Sequence, residues 1–301
     1  MIEQAAFGEE LGFDSVWLAE HHFHSFGGVL SSPAVIGAAI AQRTRKIRIG
    51  TAVTLLPYHN PLRIAEDYAT LDCLSGGRLE FGIGHGFIKW ESLTFGTPLE
   101  ELRRRFKENL DVILKAWSEP KFSHKGNSYR YDDVELLPRP VQKPFPTVWM
   151  GATSTAESFE FAGRSGFHMM LIPFLHEIDE LREMVELYFS ARSAAGYDPK
   201  TAHVIAMYHI YVGENAAEAR ATGEVASPTA TAIGTGVTVA AAMCICAALA
   251  VAAISIASVG VRTISITAVA VSAVMRVMSI PVVSVMGVVP FMAVAMITVI
   301  M

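Results

Sequence analysis

The chain has 301 residues, 51% hydrophobic and 18% charged, with a formal net charge of -5 and a pI near 6.1. That length holds one large domain or two ordinary ones, and the acidic balance excludes a general nucleic-acid binder, which carries a basic excess. The three cysteines, Cys73, Cys244 and Cys246, have neither zinc-ligand spacing nor a disulfide framework, and Met1 is followed by no basic segment of the signal-peptide kind, so a cytoplasmic protein without a bound metal is expected.

In chain order, hydrophobic period and punctuation predict a helix over 2–11, closed by Gly12, then a short apolar strand over 15–19. Ser31-Ser32-Pro33 reads as a cap with a first-turn proline, opening a helix to about residue 43. A strand over 46–53 follows, and Asn60-Pro61 repeats the cap-plus-proline signal for a helix ended by Gly76-Gly77. The spacing then gives a strand over 79–83, a loop after Phe87, and a long helix over 98–117. Five prolines and alternating aromatic and polar residues in 119–146 suggest a hairpin-like insertion. Strands over 147–150, 168–172 and 203–212 alternate with helices over 157–164 and 178–195, and a further helix starts at Ala216.

Short buried strands alternating with helices imply a parallel α/β sheet. Two architectures are consistent with this, a doubly wound sheet and a (β/α)₈ TIM barrel. The polar residues are dispersed after successive strands: Glu20-His21-His22, His59-Asn60, His85, and Thr153-Ser154. A barrel places its reactive groups in that way, whereas a doubly wound sheet gathers them at one switch point. The barrel is therefore expected for residues 1–225.

Residues 226–301 break the pattern. They contain no Asp, Glu, Lys, His, Asn, Gln, Trp or Tyr, and their only charges are Arg262 and Arg276. All 29 acids and all but two of the 24 Lys and Arg residues precede them, which leaves the first 225 residues at net -7. The uncharged stretch over 232–261 is long enough for a membrane span but is rich in Ala, Ser, Thr and Gly and lacks interfacial aromatic or basic flanks. The seven residue types encoded with adenine at the second codon position are all missing. A shifted reading frame through GC-rich DNA is the expected origin of this tract, with a membrane anchor as the alternative.

Glu20-His21-His22 puts a carboxylate and two imidazoles at the end of a buried strand, where histidine can transfer protons near neutral pH. A structural polar cluster at a barrel mouth is equally consistent with the triplet. Adjacent histidines on a continuing strand point to opposite faces, so they do not chelate one metal together. Gly82-Ile83-Gly84-His85-Gly86 is not a dinucleotide fingerprint, and is read as a strand end whose glycines let a flat ligand approach the backbone. Thr153-Ser154-Thr155 joins a strand to a helix, where capping and phosphate binding are compatible roles. Arg103-Arg104-Arg105, beside Glu100, Glu101 and Glu108, reads as a solvated helix face.

The stretches GFDSVWLAEHHF (12–23), SSPAVIGAAIAQRTRKIRIGTAVTLLPYHNPLRIAEDYATLDCLSGGRLEFGIGHGF (31–87), FGTPLEELRRRF (95–106), LLPRPVQKPFPTVWMGATS (136–154) and YVGENAAEARA (211–221) resemble the flavin-dependent luciferase-like monooxygenase family. The resemblance implies a (β/α)₈ barrel. It also implies reduced FMN supplied by a separate flavin reductase, with a non-catalytic flavin-binding relative or an oxidoreductase using the deazaflavin F420 as the alternatives. In that family the flavin reacts with O₂ to give a C4a-hydroperoxide that oxygenates a small organic substrate. By motif matching, His21 is the active-site imidazole and Glu20 and His22 are its neighbours. Ala52 and Val53 underlie the isoalloxazine, often through a non-proline cis peptide, while Thr153 and Ser154 hold the flavin phosphate. His85 stands where the luciferase α chain, one family member, carries a phosphate-binding arginine. A homo- or heterodimer is the assembly the resemblance implies. The family also has a strand before the helix that opens this chain, and mixed β/α units where the tract over 226–301 stands, so the barrel is expected to be incomplete.

Overall fold

The computed structural model describes residues 1–24, 29–153, 155–209 and 294–299. They fall into two units, Met1–Gly151 and Ala152–Met301.

In the first unit, α1 (Ile2–Glu10), β1 (Ser15–Leu18), α2 (Pro33–Arg43), β2 (Arg48–Thr51), β3 (Thr54–Leu55), α3 (Pro61–Ser75) and β4 (Leu79–Gly84) follow the expected alternation. After them come α4 (Lys89–Thr94), α5 (Leu99–Ser118), a hairpin of β5 (Phe122–Lys125) and β6 (Arg130–Val134), and β7 (Thr147–Gly151). Of the expected strand over 46–53, residues 48–51 form β2, and β3 follows just beyond its bounds. The loop expected after Phe87 is a correction: it contains α4, too short and too weakly capped to stand out in the sequence. Strands pair in parallel in the order β1-β2-β4-β7, with β3 also on β4. That order follows the chain without the reversal of a doubly wound sheet, so the unit is a stretch of singly wound (β/α) barrel.

Local signals and packing agree on α3. Asn60 Oδ1 accepts the Leu62 N–H at 2.9 Å, Pro61 occupies the first turn, and Gly76 ends the helix at φ 67°. Ile64, Ala65, Tyr68, Ala69, Leu71 and Asp72 recur at helical spacing on its buried face. They meet β4 and α5, where Phe81 packs between Tyr68 (4.8 Å between ring centres) and Trp117 (5.0 Å). The Trp117 indole N–H donates to Ala65 O at 2.9 Å, so its burial leaves no donor unpaired. Each such large side chain contributes about 1.5–3 kcal/mol by leaving water. Gly50 is required in β2, because a Cβ there would lie 2.1 Å from the Trp17 ring. As expected, Arg104 and Arg105 pair with Glu101 on a solvated face of α5.

In the second unit, α6 (Ala156–Arg164) and α7 (Ile178–Ala194) cross closely at Gly163, where a Cβ would meet Tyr188 O at 2.4 Å. β8 (His168–Leu171) pairs in parallel with β9 (Val204–His209), and β10 (Val294–Val299) pairs antiparallel with β9. The continuation of the strand to residue 212, the helix from Ala216 and all of the tract 226–301 except β10 lie outside the described residues. The fold class is mixed α/β, an incomplete TIM barrel. Among the described residues no helix is long and apolar enough to cross a membrane.

Candidate active site

The polar residues of the first unit converge beyond the carboxyl ends of β1, β3 and β4. Glu20 follows β1, His59 follows the short 3₁₀ turn Leu56–Tyr58 after β3, and Glu91 is carried by α4 after β4. Glu20 is buried, and its Oε1 pairs with His22 Nε2 at 2.8 Å and His59 Nε2 at 2.6 Å. Its Oε2 accepts the Leu55 N–H at 3.1 Å. Burial alone would raise its pKa. The bonds from His22, His59 and Leu55, with the His59 charge, outweigh that and hold the carboxyl below its ordinary value.

The triplet divides. His22 faces Glu20, while His21 turns to the buried Glu91, with Nδ1 3.5 Å from Oε1. His24 Nε2 lies 3.3 Å from the same oxygen, which also accepts the His22 backbone N–H at 2.9 Å. The ligand atoms of Glu20, His22 and His59, and separately those of His21, His24 and Glu91, lie within 4.8 Å of one another. An aromatic wall closes this side: the His22 ring meets Phe95 edge-on at 4.8 Å, and Tyr58 stacks on Phe95 at 4.8 Å. Burial, followed by the charges of Glu91 and Glu20, pushes the Tyr58 hydroxyl up to about 12, so it remains a proton donor at neutral pH.

The peptide bond between Ala52 and Val53 is cis. The Ala52 N–H donates to Leu18 O at 2.8 Å, tying this peptide to the end of β1. Two glycines adjoin this peptide. A Cβ on Gly84 would lie 2.5 Å from Val53 Cγ2, and one on Gly151 2.9 Å from Cγ1. These two glycines therefore admit the Val53 side chain. His85 Nδ1 bonds to Gly86 O at 2.8 Å, and its ring stands edge-on to Phe106. Thr153 precedes α6 in the second unit, and Ser154 lies outside the described residues. At the start of α6, Thr155 Oγ1 pairs with Ser158 Oγ at 2.8 Å.

Sequence reasoning marked His59 without giving it a partner and did not single out His24, Tyr58, Glu91 or Phe95. Glu91 meets His22 across 69 positions of chain, and its helix gave no capping signal that could have drawn attention to it.

The profile of the luciferase-like monooxygenase family matches residues 1–245. Over 198 residues the chain is 30% identical to the alkanal monooxygenase alpha chain of Photorhabdus luminescens, covering 66% of this chain and 54% of that one. It is 27% identical over 222 residues to the oxygenase component of the flavin-dependent trigonelline monooxygenase of Acinetobacter baylyi, covering 73% and 61%. The crystal structure of monooxygenase RslO1 from Streptomyces bottropensis is similar at a TM-score of 0.72 and 34% identity, covering 77% of this chain and 70% of that one. The chain spans about half to three fifths of the length of the curated relatives it matches. With strand order, strand-end polar residues and a family match across residues 1–245 in agreement, the chain belongs to the luciferase-like monooxygenase family.

Proposed function

We propose that the protein is the oxygenase component of a two-component flavin monooxygenase, binding reduced FMN from a separate reductase and oxygenating a small organic substrate with O₂. The observation that carries this reading is the gathering of Glu20, His21, His22 and His59 at neighbouring strand ends, with both Glu20 oxygens engaged. The flavin-dependent relative that is itself an oxygenase component supports both the flavin and the separate reductase.

The residues present fit a flavin ring. The Tyr58 hydroxyl is buried without a hydrogen-bond partner among the described residues, and a carbonyl edge of the ring would satisfy it. Ala52 and Val53 would lie beneath the ring, and His85, after β4, would serve the phosphate; the family motif gives the same role to Thr153 and Ser154, the latter outside the described residues. A neutral imidazole at His85 is a weaker anion partner than a guanidinium fork. When bound, the reduced flavin supplies the electrons and the chemistry that activates O₂. The chain's own residues do the rest. His21 takes up or returns the substrate proton at Nε2, the ring nitrogen turned away from Glu91. Glu20 fixes the His22 and His59 rings, which with Phe95 and Tyr58 keep water from that side.

The test is His21→Ala. Oxygenation should fall by about 10²–10⁴-fold, the usual worth of a general acid or base, while FMN titration stays unchanged. Unchanged turnover would move the role to His22 or His59. Titration with reduced F420 decides the cofactor, since tighter binding of F420 than of FMN reverses the assignment.

A further inference from the structure

We propose that His21, His24 and Glu91 form a binding site for a divalent late transition-metal ion of the zinc class. Two imidazoles and one carboxylate are a ligand set this class accepts, with a fourth position left open. The spacing supports it. Donors about 2.0–2.1 Å from a tetrahedral zinc ion stand about 3.3–3.4 Å from one another. His24 Nε2 and His21 Nδ1 lie 3.3 and 3.5 Å from Glu91 Oε1. These separations exceed good hydrogen-bond lengths, and His21 Nδ1 is buried without a hydrogen-bond partner among the described residues. The His22 backbone N–H, at 2.9 Å from the same Oε1, holds the carboxylate in place as an outer hydrogen bond does around a metal. The Glu91 side chain is 1% exposed and those of His21 and His24 are 19% and 20% exposed, while His21 Nδ1 and His24 Nε2 are themselves enclosed, so the donor atoms are packed together away from solvent.

The neighbouring set does not offer the same site. His22 and His59 both bond to Glu20 Oε1, at 2.8 and 2.6 Å, and Leu55 occupies Oε2. An ion there would have to break two short imidazole–carboxylate bonds, whereas His21 Nδ1 and His24 Nε2 stand 3.5 and 3.3 Å from Glu91 Oε1.

An ion on His21 Nδ1 withdraws that ring from free proton exchange, so metal binding and oxygenation oppose each other. This consequence rests on the proposed role of His21, but the site itself does not. The full chain without flavin, freed of any affinity tag and of metal, should be titrated with Co²⁺ and Zn²⁺. One equivalent of Co²⁺ should produce the intense visible bands of a tetrahedral site, and Zn²⁺ should displace it. His24→Ala and Glu91→Gln should each weaken binding by at least about 10–100-fold, whereas His59→Ala should leave it intact. The His24 variant removes a partly exposed imidazole rather than a buried charge, and keeps the test sound if loss of the buried Glu91 charge disturbs folding. Absence of a saturable cobalt spectrum in the unaltered chain overturns the proposal, as does binding that survives His24→Ala but is lost in His59→Ala. Lost oxygenation in His21→Ala with cobalt binding intact would refute the site while leaving the proposed activity standing.

Discussion

Replacing Glu20 by glutamine keeps the side-chain shape and removes the charge that orders two imidazoles. The carboxylate accepts from His22 Nε2, His59 Nε2 and the Leu55 N–H. A hydrogen bond to a charged group contributes about 1.5–3 kcal/mol, against about 0.5–1.5 for a neutral one. The carboxamide has one accepting oxygen, which the Leu55 N–H can use. Its NH₂ then faces the two imidazoles, each of which must offer a lone pair in place of an N–H. Weakening both imidazole bonds by about 1–1.5 kcal/mol each gives an expected loss of about 2–3 kcal/mol at pH 7. Urea unfolding monitored by tryptophan fluorescence measures it. The difference should also depend on pH. Because the folded carboxyl titrates below its ordinary value of 4.5, its stabilisation is complete above the unfolded pKa. It is lost as pH falls through the folded one. The two proteins should therefore converge in acid. A difference under about 0.5 kcal/mol at pH 7 would refute the reasoning. It would mean that the cost of burying the charge cancels the strength of its bonds.

Gly84→Ala should cost about 1–3 kcal/mol by overpacking, since the new Cβ would lie 2.5 Å from Val53 Cγ2. It should also weaken FMN binding by displacing Val53, as read by flavin fluorescence titration. Asn60→Ala should lower stability by about 1 kcal/mol through loss of the α3 cap, seen as a shift in urea midpoint without a change in slope. His168 is pushed down to about 4, chiefly by burial and then by His203 and Arg192, and its Nδ1 accepts the His203 N–H. Its contribution to stability should be complete above pH 6.5 and decline as pH falls towards 4, and NMR titration should place its midpoint near the lower value.

Much of the fold was legible because it depends on local physics. Asn60-Pro61 and Gly76 mark the ends of α3, and the apolar runs of β1, β2, β4 and β7 announce buried parallel strands. The helix α4 escaped because six residues without a capping side chain give too little periodic signal. The glycines at the end of β4 were legible as close-approach positions, but not what approaches. At Gly84 it is the side chain of Val53, a residue 31 positions away.

The candidate site divides in the same way. The sequence by itself determined which chemistry is available: Glu20-His21-His22 after one strand, and His59 and His85 after the next two. The expectation that adjacent histidines face apart held only for a continuing strand, and β1 ends at Leu18, before them. Only the tertiary structure decided the partners. It gave His22 and His59 to one oxygen of Glu20, and turned His21 and His24 to Glu91 on a helix 67 or more positions further along. The physical reason is that a hydrogen bond or an ion pair is fixed by distance and direction in space. Strand pairing between β1, β2 and β4 sets those distances, and no spacing along the chain encodes them.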